Sequence, residues 1–441
     1  MKRIRVSENK RFLMHEDGTP FFYLGDTAWE LFHRSTREEA DLYLCNRADK
    51  GFTVIQAVVL AEENGLHDPN SPGEIPLHDD DPTRPNEKYF EHVDYIVQRA
   101  AELGLVIGML PTWGDKWNKK WGAGPEIFTA QNARVYGQWL GQRYRDSANI
   151  IWILGGDRPV ENETHHAIID AMAEGLTEGD GGLHLKTFHP MGGGTSSTHF
   201  HEAPWLDFNM WQSGHGRHRD NHNCIAQDYA RNPAKPVLDG EPGYEDHKAG
   251  FQLQNGFLDH YDVRKSLYWG LFAGACGHTY GCHDVWQMWK PGRRGVNHPR
   301  LPWYEAIDLP GAGQMHHARR LLESRPYLSR IPDQSLIGTQ PVNGDGEEQQ
   351  HLHVVATRDS EGSYALLYFP ADVTVEVDLS KLSGETIRAY WFDPRSGEST
   401  ELDTFPRSDK RTFKAPEWGP DWVLVLDDDS HNYPAPGMVT G

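Results

Sequence analysis

Two hydrophobic runs in this chain each end in a carboxylate. They are Asn149-Ile150-Ile151-Trp152-Ile153-Leu154-Gly155-Gly156-Asp157 and Pro236-Val237-Leu238-Asp239-Gly240-Glu241. Each reads as a buried parallel strand closed by glycine and then an acid. In an α/β barrel, side chains at the C-terminal strand ends point into the catalytic mouth. Two carboxyls from two such ends are the minimum for hydrolysing a glycosidic bond. One serves as acid/base and the other as nucleophile, about 5–5.5 Å apart when configuration is retained. The competing reading of either acid is a cap on the next helix or a strand-end salt bridge.

Other strand ends offer groups that bind sugar. Asp26 sits in Leu24-Gly25-Asp26-Thr27-Ala28-Trp29, where it either bonds substrate hydroxyls or orients its neighbours. Gln56, Trp113, His189, Trp211, Gln212, His278 and Tyr280 occupy comparable places, and Trp29 and Trp286 offer flat walls. Tyr280 and His278 are candidates for holding a nucleophile ionised by hydrogen bonding. The 15 tryptophans suit stacking on sugar C–H faces, although most belong to a core. The loop histidines His199, His201, His215, His218 and His222 match no metal motif and HExxH is absent, so neither metal nor cofactor is expected. GxSxG is also absent, which counts against a serine hydrolase.

The elements that must position these groups alternate between about residues 20 and 325. Strands are predicted at 21–25, 52–60, 105–110, 150–154, 185–189, 207–211, 236–240 and 277–281. Helices are predicted at 36–50, 89–103, 129–146, 163–176, 222–231, 262–274 and 311–323, with a weakly marked one within 191–206. Eight such units predict a (β/α)8 barrel over residues 1–330, with 61–85 as a long loop that walls the pocket or meets another subunit. A doubly wound open sheet is disfavoured because no GxGxxG opens a helix after the first strand. Short alternating β-rich segments at 351–358, 363–369, 373–379, 386–392 and 421–426 predict a small antiparallel β-sandwich over 331–441, with a loose tail from 428.

Composition narrows the partners. The 441 residues carry 64 acidic and 43 basic side chains, a net charge of −21, which argues against nucleic acid. No stretch approaches eighteen apolar residues, so no membrane span is expected. The N-terminus lacks the apolar segment of a signal peptide and the four cysteines lack CxxC spacing, so a cytoplasmic chain with reduced thiols is expected. Nothing in the sequence speaks to oligomeric state.

Four motifs in order, GDTAW at 25–29, GGD at 155–157, DGEPGYE at 239–245 and GHTYG at 277–281, resemble glycoside hydrolase family 140. The resemblance spans essentially the whole chain, including a small C-terminal β domain of a type labelled collagen-binding, a label that nothing in 331–427 supports as a function. It implies a barrel enzyme releasing the branched furanose D-apiose, with Asp157 as acid/base and Glu241 as nucleophile. The wider clan of retaining barrels has Asn-Glu at the fourth strand, where this chain has Gly156-Asp157. The same machinery could serve an arabinofuranoside, galactofuranoside or xyloside. A carbohydrate-binding barrel without activity is the non-enzymatic alternative.

Overall fold

A computed structural model describes residues 1–342 and 349–438. Eight strands build the barrel: β1 (Tyr23–Thr27), β2 (Val54–Leu60), β3 (Val106–Thr112), β4 (Ile150–Gly155), β5 (Lys186–His189), β6 (Asn209–Gln212), β7 (Val237–Asp239) and β8 (Gly277–Tyr280). They run in the order β5-β4-β3-β2-β1-β8-β7-β6 and every neighbouring pair is parallel. The sheet closes between β5 and β6. There the Asp207 amide donates to Lys186 O at 2.9 Å and the Thr187 hydroxyl to Phe208 O at 2.7 Å. Every residue of β2, β3 and β4 is buried, which is why these segments read as unbroken apolar runs rather than alternating ones.

The helices begin where the sequence supplies caps. Helix α1 (Arg37–Asp49) starts with a reciprocal Thr36–Glu39 capping box, and α2 (Glu87–Glu102) starts on the Asn86 side chain. Next come α3 (Ala130–Tyr144) and α4 (Glu163–Asp180), and the weakly marked fifth helix is a single turn, α5 (Ser197–Phe200). Helices α6 (Asn221–Tyr229), α7 (His260–Phe272) and α8 (Pro310–Glu323) complete the ring. A three-stranded antiparallel sheet (Ile4–Val6, Leu13–His15, Pro20–Phe21), not anticipated from the sequence, leads into β1.

After the barrel, Arg330–Pro332, Val355–Asp359, Tyr364–Phe369, Trp422–Asp428, Thr386–Phe392 and Ser399–Pro406 form a six-stranded sheet in that spatial order. A two-stranded sheet of Thr374–Asp378 and Lys410–Lys414 accompanies it, and the two share a core of their own. Residues 439–441, the end of the tail expected to be loose, lie outside the described residues. The rest of that tail is fastened. The Tyr433 hydroxyl donates to Ser363 Oγ at 2.9 Å, and Gly437 N donates to Ser324 Oγ at 3.2 Å.

Helix α7 carries the contact between barrel and appendage. Its Arg264 meets Asp421 in a two-pronged pair at 3.1 and 2.7 Å, with both side chains fully buried. Tyr268 stacks on Tyr368 with centroids 5.0 Å apart, and the Trp269 indole donates to His353 O at 3.0 Å. Farther along, Arg325 grips Asp427 and Arg330 bonds Ala275 O just before β8. Among the described residues no helix is long and apolar enough to cross a membrane.

Candidate active site

The end of β4 is bent sharply. Gly155, Gly156 and Asp157 take φ values of 96°, 107° and 53° in succession. A Cβ on Gly155 would stand 2.4 Å from His189 O, and one on Gly156 would stand 2.7 Å from Gly114 N. Only glycine fits at either position, and Asp is among the few side chains that tolerate the third. The bend delivers Asp157 into a cavity of about 660 Å³ at the C-terminal mouth of the barrel, and Glu241, two residues beyond β7, lines the same cavity.

Strands β5 and β6 lie between these two acids and link them. His189, the last residue of β5, places Nε2 3.0 Å from Glu241 Oε2. His215, on the loop after β6, has Nε2 3.0 Å from the other oxygen, Oε1, and donates to it. That loop is fixed by Asp239, whose carboxylate accepts from the Ser213 amide and hydroxyl at 3.2 and 2.6 Å. His215 in turn packs on Tyr244 and His247, with centroids 4.4 and 4.3 Å away. Burial pushes the His247 imidazole down to about 2, helped by the charges of His215 and His283, so that ring stays neutral.

The two carboxyls are driven apart in acidity. Burial alone would raise Glu241, but His189 and His215 outweigh it and hold the carboxylate well below its usual range. Asp157 is raised, first by burial and then by the negative charge of Glu241, against the pull of the Arg158 guanidinium. Arg158 is itself fully buried. Its Nη1 donates to Asp157 Oδ2 at 3.2 Å, and its Nη2 to Glu62 Oε1 at 2.9 Å. Glu62, just past β2, is pushed up to about 8, chiefly by burial and despite Arg158. One carboxyl is thus biased toward its protonated form and the other toward its ionised form.

Of the sequence candidates, Trp29, Trp113, Gln212 and Trp286 line the cavity together with Asp157 and Glu241. Trp29 and Trp113 pack with centroids 5.1 Å apart, and the edge contact of Trp29 with His189 at 5.3 Å builds a closed apolar corner beside Glu241. The long 61–85 loop contributes Glu62 and Glu63 to the wall.

His189 touches Glu241 without itself lining the cavity, and five other candidates do not reach it. Trp211 precedes Gln212 on β6, and strand alternation turns its side chain away. Gln56 is consumed inside the barrel, accepting from the Tyr23 hydroxyl at 3.0 Å and donating to Gly240 O at 2.9 Å. His278 is buried within β8, with its pKa pushed down by burial to about 3. Tyr280 donates to Glu245 Oε2 at 2.6 Å rather than to Glu241, whose two oxygens are met by His189 and His215.

Asp26 is the fifth. It is fully buried, pairs with Arg47 and accepts from the Tyr43 hydroxyl, both on α1. Asp26→Ala is expected to cost about 3–5 kcal/mol of stability, because a buried charge loses its partner, while KM of the folded enzyme stays the same. Urea unfolding and KM measured side by side check this; unchanged stability with a raised KM would return Asp26 to the substrate.

The sequence reading missed Trp121, Arg158, Glu62 and His247, and left His215 unplaced in a loop. Tyr244, inside the DGEPGYE run, faces Glu241, and burial followed by that negative charge pushes its phenol well above the usual value. Among the described residues no group of His, Cys, Asp and Glu is arranged to hold a metal.

Residues 7–329 match the family described as apiosidase-like, catalytic domain. The chain belongs to the apiosidase-like glycoside hydrolases. Residues 331–427 match a family described as "Putative collagen-binding domain of a collagenase". Among solved structures, one named glycoside hydrolase is 35% identical over 97% of both chains, with a TM-score of 0.87. A glycoside hydrolase family 5 protein from Bacteroides vulgatus ATCC 8482 is 33% identical, covering 99% of this chain and 95% of its own, with a TM-score of 0.89. No relative is found among curated proteins. The apiosidase-like barrel therefore carries the glycoside hydrolase activity, and its cavity holds the two acids described above.

Proposed function

We propose that this glycoside hydrolase releases a terminal furanose, D-apiose, from plant glycosides or pectic side chains, with retention of configuration. The observation that carries the mechanism is the opposed acidity of Asp157 and Glu241 within one cavity. Asp157 protonates the leaving oxygen while Glu241 attacks the anomeric carbon. The glycosyl–Glu241 ester neutralises that carboxylate, so the charge that raised Asp157 is gone. Asp157, now a base, takes a proton from the water that opens the ester, and both groups return to their starting forms. The choice of apiose is supported by the catalytic-domain family and by the closed corner of Trp29, Trp113 and His189, which suits a small ring.

The test is incubation with apiosyl glycosides and with arabinofuranosyl, galactofuranosyl and xylosyl counterparts. Released sugar is read by mass spectrometry and the first-formed anomer by NMR. Free apiose, first appearing with the anomeric configuration of the substrate, is expected. Release of only another sugar would overturn the choice of apiose, and an inverted first product would overturn the double displacement.

A further inference from the structure

The cavity has two unlike sides. Behind Glu241, the residues Trp29, Trp113 and Tyr244 are at most 4% exposed, and only Phe251, at the outer rim against His215 and His247, is open among the apolar residues lining that side. Beside Asp157, by contrast, Trp121 is 59% exposed and Met191 38% exposed, and both line the same cavity. Trp121 follows β3 and Met191 follows β5, so their loops flank the strand that ends in Asp157.

Trp121 is not a loose surface ring. The Arg158 guanidinium lies 4.6 Å from its centroid and covers one face, and its indole N–H donates to Asp157 Oδ2 at 3.4 Å. The next residue is Gly122, where a Cβ would stand 2.3 Å from Asp115 Cβ and 2.5 Å from Arg158 Nη2, so the loop is seated directly on the buried arginine. An indole fixed at its edge and one face presents its other face to the cavity with little left to order on binding.

We infer that this free face of Trp121, bordered by Met191, is the leaving-group subsite, and that it takes a ring with a flat apolar face. The inference rests on the proposed role of Asp157. The group whose oxygen Asp157 protonates must lie on the Asp157 side of the scissile bond, and the exposed apolar surface on that side is Trp121 with Met191. Aryl rings and the C–H face of a pyranose share the chemistry that stacks there.

The test compares phenyl, methyl and pyranosyl leaving groups on one glycone, in wild type, Trp121→Ala and Trp121→Phe. Stacking and proton donation pull in opposite directions here. Losing a platform harms a ring-bearing substrate more than the methyl glycoside, whereas disturbing Asp157 harms the methyl and pyranosyl glycosides alike and the phenyl glycoside least, since an alkoxide needs the proton. Trp121→Ala is expected to lower kcat/KM for the phenyl or the pyranosyl substrate about five- to tenfold relative to methyl. Whichever of the two falls identifies the ring served. Trp121→Phe, which keeps a ring but lacks the N–H, is expected to restore most of that ratio. A methyl glycoside that falls as far as the others, or a Phe variant no better than Ala, would overturn the subsite. If wild type cleaves no apioside, the choice of sugar fails on its own and the ratios are read on the glycone it does cleave. If it cleaves none, the same comparison is made by calorimetric binding to Glu241→Gln with and without Trp121→Ala.

Discussion

Replacing Glu241 with alanine is expected to lower kcat/KM by at least about 10³-fold on every substrate, whatever its leaving group. The reason is that the carboxylate does more than carry a charge. His189 and His215 hold one oxygen each at 3.0 Å, fixing the orientation from which it attacks. No other ionised carboxylate in the cavity is gripped in that way. Glu241→Gln keeps the shape and should lose as much, because an amide is a poor nucleophile, while circular dichroism confirms the fold. The stronger reading comes from rescue. In Glu241→Ala, azide can enter the vacated space and displace an activated leaving group in one step, giving a glycosyl azide of inverted configuration. NMR of that product distinguishes a lost nucleophile from a lost acid. A Glu241→Ala enzyme retaining near-wild-type turnover would end the assignment.

Removing Asp157 should produce a loss that depends on the substrate. Methyl and glycosyl leaving groups depart as alkoxides and need the proton, so Asp157→Ala is expected to lose about 10³-fold or more on them. A nitrophenyl leaving group departs as a stable phenolate, and its first step should be nearly spared. Azide then intercepts the glycosyl–enzyme, and the product retains configuration, opposite to the Glu241 variant. The pH profile adds a second check. Asp157 must be protonated to act, so the alkaline limb of kcat/KM belongs to it. Burial and the charge of Glu241 move that limb upward from the range of an ordinary aspartate. In Asp157→Ala the alkaline limb should vanish while the acidic limb, set by Glu241, remains. An unchanged profile would assign the proton to another group.

The strand ends that place Asp157 and Glu241 at the barrel mouth were legible because an unbroken apolar run closed by glycine marks a buried parallel strand. Asp26 has the same local pattern and a different fate. Its distinguishing sign lay elsewhere in the sequence: Tyr43 and Arg47 are four residues apart, hence on one face of α1, and that face is buried. A guanidinium on a buried helix face requires a carboxylate, and Asp26 supplies it. His215 could not be read at all. It meets Glu241 from 26 residues upstream, across a loop shaped by Asp239 and Ser213, and no local periodicity encodes such a meeting.

In the C-terminal sheets, Ser399–Pro406 and Lys410–Lys414 escaped notice because they are largely solvent-facing and rich in charge, with little apolar alternation to betray a strand. The β-rich segments that were recognised are those whose inward side chains fill the second core. The bend at Gly155–Asp157 is a further case. The two glycines announce a turn, but only the approach of His189 O and Gly114 N explains why neither position admits a side chain.

The seam along α7 has a consequence for how this enzyme is inherited and handled. That helix joins the strand leading to Glu241 to the last stave of the barrel, and its outer surface is finished by Asp421, Tyr368 and His353 rather than by water. The appendage is therefore masonry for the reactor wall, not cargo hung from it. Severing the chain near residue 330 would strip a guanidinium of its counter-ion and bare two aromatic rings on the very helix that braces the chemistry.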